Sequence, residues 1–123
     1  MKWGKEQNVH VEKEETKKAN QLKVLIVEDN DFNIVPIKTT LSRNQIGFEI
    51  AKNGVMAVER YQRSIREGFI YGVVLMDLEM PLMDGYEATI EIRKVEKAQS
   101  KHSTYICGLS AYRDKGLFAI FAY

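Results

Sequence analysis

The sequence predicts an α/β domain built on a parallel sheet, and three observations carry that prediction. Short apolar runs alternate with segments whose apolar residues recur at helical spacing, the pattern of βαβ units joined by right-handed crossovers. The run Val73–Met76 is continuously apolar and stops on a carboxylate, Asp77, as fits a strand buried on both faces. A second short apolar run, Lys23–Val27, also ends directly on acids, Glu28-Asp29.

Taken in order, Met1–Gln21 is a lysine and glutamate tract with few apolar residues and no clear period. Such a segment cannot bury enough surface to offset its ordering entropy, so residues 1–21 read as a charged linker or tail and residues 22–123 as the domain. Trp3 reads as incidental, and His10 has no ligand-type neighbours. Strand one is Lys23–Val27. A helix follows from about Phe32 to Asn44, with Ile34, Ile37 and Leu41 on one face and Pro36 in or near its first turn, where a missing N–H costs little. Gly47 closes the connection to strand two, Phe48–Ala51, and Asn53-Gly54 precedes a helix from Val55 to Glu67 with Val58, Tyr61 and Ile65 inward. Strand three carries Asp77. Asp84-Gly85 opens a helix with Ala88, Ile92 and Val95 inward and Glu91, Arg93 and Lys94 mostly outward. Lys97–His102 is a polar loop with His102 at the surface, and strand four is Thr104–Leu109.

The chain has 123 residues, enough for one domain, and is 45% hydrophobic and 28% charged, ordinary for a globular protein. A net charge of +1 gives no case for a nucleic-acid partner or an acidic membrane surface. The single cysteine, Cys107, permits no internal disulfide and fits a reducing compartment. It lies within an apolar run and reads as a packed thiol. No stretch is apolar enough to insert in a membrane, and the charged N-terminus does not read as a signal peptide. The cytoplasm is the expected location.

Asp77 alone reads equally well as an acid capping a turn. The second acid pair changes the balance. Adjacent parallel strands would bring Glu28, Asp29 and Asp77 together at the carboxyl end of the sheet, where open α/β sheets bind ligands. Clustered carboxylates repel one another unless a cation compensates them, and an all-oxygen donor set suits Mg²⁺, with Mn²⁺ as the alternative.

Glu28-Asp29-Asn30, Asn53-Gly54, the block Met76-Asp77-Leu78-Glu79-Met80-Pro81-Leu82-Met83-Asp84-Gly85, and Leu109-Ser110-Ala111 together resemble the receiver domain of two-component response regulators. The wording is closest to receivers attached to hybrid histidine kinases. The resemblance implies a flavodoxin-like doubly wound parallel sheet of order 2-1-3-4-5. It also implies a function: Asp77 would accept a phosphoryl group from a phosphohistidine on a histidine kinase or histidine phosphotransfer protein. By the same resemblance Asp29 and Asp77 are direct Mg²⁺ ligands, Glu28 acts largely through water, and the main-chain carbonyl of Glu79 supplies another oxygen. Ser110 corresponds to the switch hydroxyl, although by position alone it is a plain strand-end serine, and small Ala111 leaves room for the phosphoryl group.

One part of the family pattern is absent. A lysine, usually followed by proline, ends the fifth strand in the family, but here the only prolines are Pro36 and Pro81. No phosphate-contacting lysine is found; Lys115 falls in the turn or helix after Ser110 and is not accepted as a substitute. The fifth strand and fifth helix are therefore expected to be missing. The apolar ending from Gly116 to Tyr123 reads as a shortened fourth helix or as a makeshift strand hairpinned onto strand four. With its usual neighbour gone, strand four would present an exposed edge through which the chain self-associates. The leading reading is a phosphoacceptor that assists its own modification, not a turnover enzyme. A pseudo-receiver interaction module lacking phosphotransfer is one alternative. An aspartate-nucleophile phosphatase is another, weakened because such enzymes carry Asp-x-Asp after the first strand.

Overall fold

A computed structural model describes residues 23–99, 102–109 and 118–120. The charged tract with Trp3 and His10 lies outside them, as do Ser110, Ala111 and Lys115. The elements are β1 (Lys23–Val27), α1 (Asp31–Arg43), β2 (Gly47–Ala51), α2 (Gly54–Glu67), β3 (Val73–Asp77), α3 (Gly85–Gln99), β4 (Tyr105–Leu109) and β5 (Phe118–Ile120). They form one sheet of order β2-β1-β3-β4-β5. The first four strands are parallel and in the expected order, with Val27 beside both Ala51 and Met76, and Asp77 beside Leu109.

The departure is at the sheet edge. β5 pairs antiparallel with β4, Cys107 opposite Ile120 and Leu109 opposite Phe118. Of the two readings of the C-terminal apolar run, the hairpinned strand is the one formed at 118–120. The exposed strand-four edge inferred from sequence is corrected accordingly: along Cys107–Leu109 the edge is already paired. Three successive apolar residues (Phe118, Ala119, Ile120) satisfy the backbone groups of β4 that a parallel neighbour would otherwise take.

The core lies between the sheet and the helices α2 and α3. Leu25, Val27, Val74, Met76 and Ile106 meet Ala57, Tyr61, Ala88 and Ile92 there, all essentially inaccessible to water. α1 covers the opposite face with Ile34 alone fully buried, while Ile37 and Leu41 are half-buried. Pro36 sits within α1, beyond its first turn, because the helix begins at Asp31, capped by the Asn30 side chain accepting from Phe32 N at 2.8 Å. α2 has the same kind of start, Asn53 Oδ1 accepting from Met56 N at 2.8 Å, and ends at Gly68, whose φ of 84° only glycine adopts without cost. α3 opens with a reciprocal Asp84–Glu87 box, Glu87 N donating to Asp84 Oδ1 at 2.8 Å and Asp84 N to Glu87 Oε1 at 3.1 Å.

Two charged side chains of α3 turn away from solvent: Glu96, and Arg93, which was expected to point mostly outward. Glu96 is 5% exposed and accepts from Tyr61 Oη at 2.6 Å, Thr104 N at 2.7 Å and Arg93 at 2.7 Å. Arg93 also donates to the Thr104 carbonyl, so it points toward the sheet's amino end and not outward. Burial, and then the Glu96 carboxylate, raise Tyr61 well above the ordinary phenol value. This network ties α2 and α3 to the entry of β4, at the end of the sheet opposite the acids.

Candidate functional site

β1 and β3 are neighbours, so the acids that follow them in sequence converge at one end of the sheet. Glu28, Asp29 and Asp77 each offer a carboxylate oxygen, and these oxygens lie within 4.8 Å of one another. The three differ in exposure: Glu28 is buried, Asp77 half-buried and Asp29 exposed. Glu28 is held in place from α1, accepting from Asn30 N at 3.1 Å and from Asn33 Nδ2 at 3.3 Å. Asp77 Oδ1 accepts from the main-chain N–H of Glu79 at 3.0 Å, which fixes the rotation of the carboxylate and places the Glu79 main chain beside the cluster.

The electrostatics follow from that crowding. Burial pushes the Asp77 carboxyl up to about 7, opposed by the Glu79 N–H bond and reinforced by the charges of Glu28 and Asp29. A hard divalent cation is what such a donor set fits: all oxygen, three carboxylates in reach of one centre, and a charge excess that metal binding would relieve. Backbone packing is equally tight. A Cβ on Gly85 would lie 2.4 Å from the Asp77 carbonyl oxygen and 2.8 Å from Leu78 Cα, so the residue opening α3 must be glycine for the strand end to lie where it does.

Residue by residue, the sequence-predicted Glu28, Asp29, Asp77 and Glu79 are brought together, and Ser110 lies outside the described residues. Sequence reasoning missed Asn33, whose amide holds Glu28. The usable signal was its spacing, one helical turn after the capping Asn30. It also missed Leu82, which adopts φ 73° and is 84% exposed on the loop following β3. Nothing in a run of Met-Pro-Leu-Met announces a left-handed residue at its third position.

The family profile of the response regulator receiver domain matches residues 24–120. The chain belongs to the receiver domain family. Among curated relatives, the hybrid signal transduction histidine kinase I of Dictyostelium discoideum is 38% identical over 94 residues, covering 76% of this chain. The peroxide stress-activated histidine kinase mak1 of Schizosaccharomyces pombe is 42% identical over 88 residues, covering 72%. The matched region spans only 5% of the length of each kinase. Among solved structures, the receiver domain of the Arabidopsis thaliana histidine kinase CKI1 complexed with Mg²⁺ superposes with a TM-score of 0.71 at 27% identity, covering 81% of both chains. The Saccharomyces cerevisiae Ssk1 receiver, crystallised with the histidine phosphotransfer protein Ypd1, has a TM-score of 0.66 at 33% identity, covering 76% of this chain and 66% of that one. The receiver is thus a module of two-component phosphorelay proteins, and this fold is the one those modules share.

Proposed function

We propose that this receiver accepts a phosphoryl group onto Asp77 from a phosphohistidine of a histidine kinase or histidine phosphotransfer protein. The observation that carries the reading is the convergence of Glu28, Asp29 and Asp77 within 4.8 Å at the carboxyl end of β1 and β3. In the reaction a carboxylate oxygen of Asp77 attacks phosphorus, the P–N bond to the donor imidazole breaks, and an acyl phosphate forms on the aspartate. Asp29 and Asp77, with the Glu79 main-chain carbonyl, would hold Mg²⁺ or Mn²⁺, and Glu28 would orient the cation's water. The bound cation supplies charge compensation for the acids and the incoming phosphoryl oxygens. The chain's own part is positioning. Glu79 N–H fixes the nucleophile, Asn30 and Asn33 fix Glu28, and Gly85 lets the strand end approach α3.

Exposed apolar residues at the same end of the fold support a protein donor. Phe32 and Leu82 are 86% and 84% exposed, and Val35 on α1 is 52% exposed, a combination suited to docking a helical partner beside the acids. Ser110 acts in this reading as the hydroxyl that responds to the phosphoryl group. Residues 22–123 constitute the receiver unit and 1–21 its charged connection, in the cytoplasm. Self-association through the β4 edge is not part of this reading, since β5 already pairs there.

The test uses a small phosphodonor or beryllofluoride with Mg²⁺. Wild type is modified; Asp77→Asn is not; Asp29→Ala loses the Mg²⁺ dependence with Asp77 intact. Equal modification of Asp77→Asn and wild type would show the wrong acid has been assigned.

A further inference from the structure

Gly54 has no conformational reason to be glycine. Its φ is not in the left-handed region, since Gly68 is the only positive-φ glycine among the described residues. As the first residue of α2 it would be a better helix former as alanine. Space explains it instead. A Cβ at Gly54 would lie 2.6 Å from the carbonyl oxygen of Met83 and 2.9 Å from Met83 Cβ and Cγ. A backbone oxygen at that distance cannot be accommodated by a rotamer change, so any side chain at Gly54 displaces the loop of residues 78–84.

That loop is tied to the acid centre at its other end. Leu78 N donates to Leu109 O at 3.1 Å, Gly85 N to Leu78 O at 3.2 Å, and Glu79 N to Asp77 Oδ1 at 3.0 Å. Met80 is buried beneath it, and Leu82 completes the turn with its φ of 73°. A loop pinned at both ends, with one strained residue between, transmits a push at Met83 toward Glu79 and does not absorb it locally.

We propose that Gly54 is a positioning residue for the acid centre. The bare backbone at the start of α2 is the abutment on which the 78–84 loop seats, and that seating sets where the Glu79 main chain meets Asp77. For its metal readout the inference rests on the phosphoacceptor reading; for its structural readout it does not.

The experiment follows the Glu79 and Met83 amide resonances of the whole chain without metal, and then Mg²⁺ affinity by titration. Gly54→Ala shifts both amides and weakens Mg²⁺ binding by about tenfold, a cost of ~1.4 kcal/mol. Asn53→Ala, which removes the α2 cap without adding a Cβ in this space, lowers stability and leaves amides and affinity unchanged. Met83→Gly alone removes the Cβ and Cγ that face Gly54 but keeps the carbonyl oxygen, so it shifts the Glu79 amide and weakens Mg²⁺ binding by a smaller factor, which carries the test should Gly54→Ala not fold. Combined, Gly54→Ala and Met83→Gly cost less than their sum, because losing the Met83 Cβ and Cγ relieves part of the overlap that the added Cβ creates. Unmoved Glu79 and Met83 amides, or strictly additive effects, overturn the proposal. A parent chain that binds no Mg²⁺ would refute the phosphoacceptor reading, and the amide shifts would then decide the positioning role by themselves.

Discussion

Asp77→Asn should make the metal-free protein more stable, by an amount that depends on pH. In the fold the Asp77 carboxyl is raised from 3.8 to about 7, by burial first, against the opposing Glu79 N–H bond and with the Glu28 and Asp29 charges adding to the rise. A raised acid favours the fold while it is protonated. Its stabilising contribution is therefore whole below its unfolded value and is lost as pH climbs through the folded one. At ~1.4 kcal/mol per pKa unit the full span is ~4 kcal/mol. Asp77 is half-exposed, and screening by solvent reduces this to ~1–2 kcal/mol. Asparagine keeps an oxygen to accept from Glu79 N–H and carries no charge, so it escapes the loss. At pH 8 in chelator the variant should melt ~5–15 °C above wild type; at pH 5 the gap should shrink to about a third. Mg²⁺ should raise wild type and leave the variant nearly unmoved. Thermal melts at the two pH values, with and without Mg²⁺, measure this. A variant no more stable than wild type at pH 8, or a gap that is the same at pH 5, would refute the crowding argument.

Other outcomes follow from named contacts. Glu96→Ala leaves the buried Thr104 N–H without its acceptor and takes the carboxylate from the Tyr61 hydroxyl and Arg93, which keep only Thr104 Oγ1 and the Thr104 carbonyl respectively, and should cost ~3–5 kcal/mol in urea unfolding, with Mg²⁺ affinity of the folded protein unchanged. Glu49 accepts from Tyr71 Oη at 2.6 Å and from Arg63 at 2.7 Å. Partial burial raises its carboxyl, but the Tyr71 bond and the Lys23 and Arg63 charges prevail and hold it below its ordinary 4.5. The stability it contributes is present above that value and lost as pH falls through the folded one, so Glu49→Gln should flatten the acid limb of the stability curve. Leu82→Gly removes a left-handed leucine, and stability should change by no more than ~1 kcal/mol. Transfer from a histidine phosphotransfer protein should slow while modification by a small phosphodonor stays the same, which stopped-flow and mass measurements would separate.

What the sequence made legible, and what it hid, divides along a physical line. Glu28, Asp29 and Asp77 could be grouped before any coordinates because each ends an apolar run, and parallel strands expose their carboxyl ends on one side. Charge in a helix was harder to place. Glu96 and Arg93 look like surface residues by composition; Glu96 is buried and Arg93 half-buried because Tyr61 and the Thr104 backbone supply hydrogen bonds from elements that only folding brings near. The Phe118–Ile120 strand was one of two open readings, since three apolar residues have no period, and pairing with β4 decided it. Close backbone approach is the least legible of all. The glycines of Asn53-Gly54 and Asp84-Gly85 look alike as punctuation before a helix, yet one is fixed by Asp77 and Leu78 and the other by Met83. The acids name the chemistry of this centre, and the two bare backbones decide whether its loop can reach them.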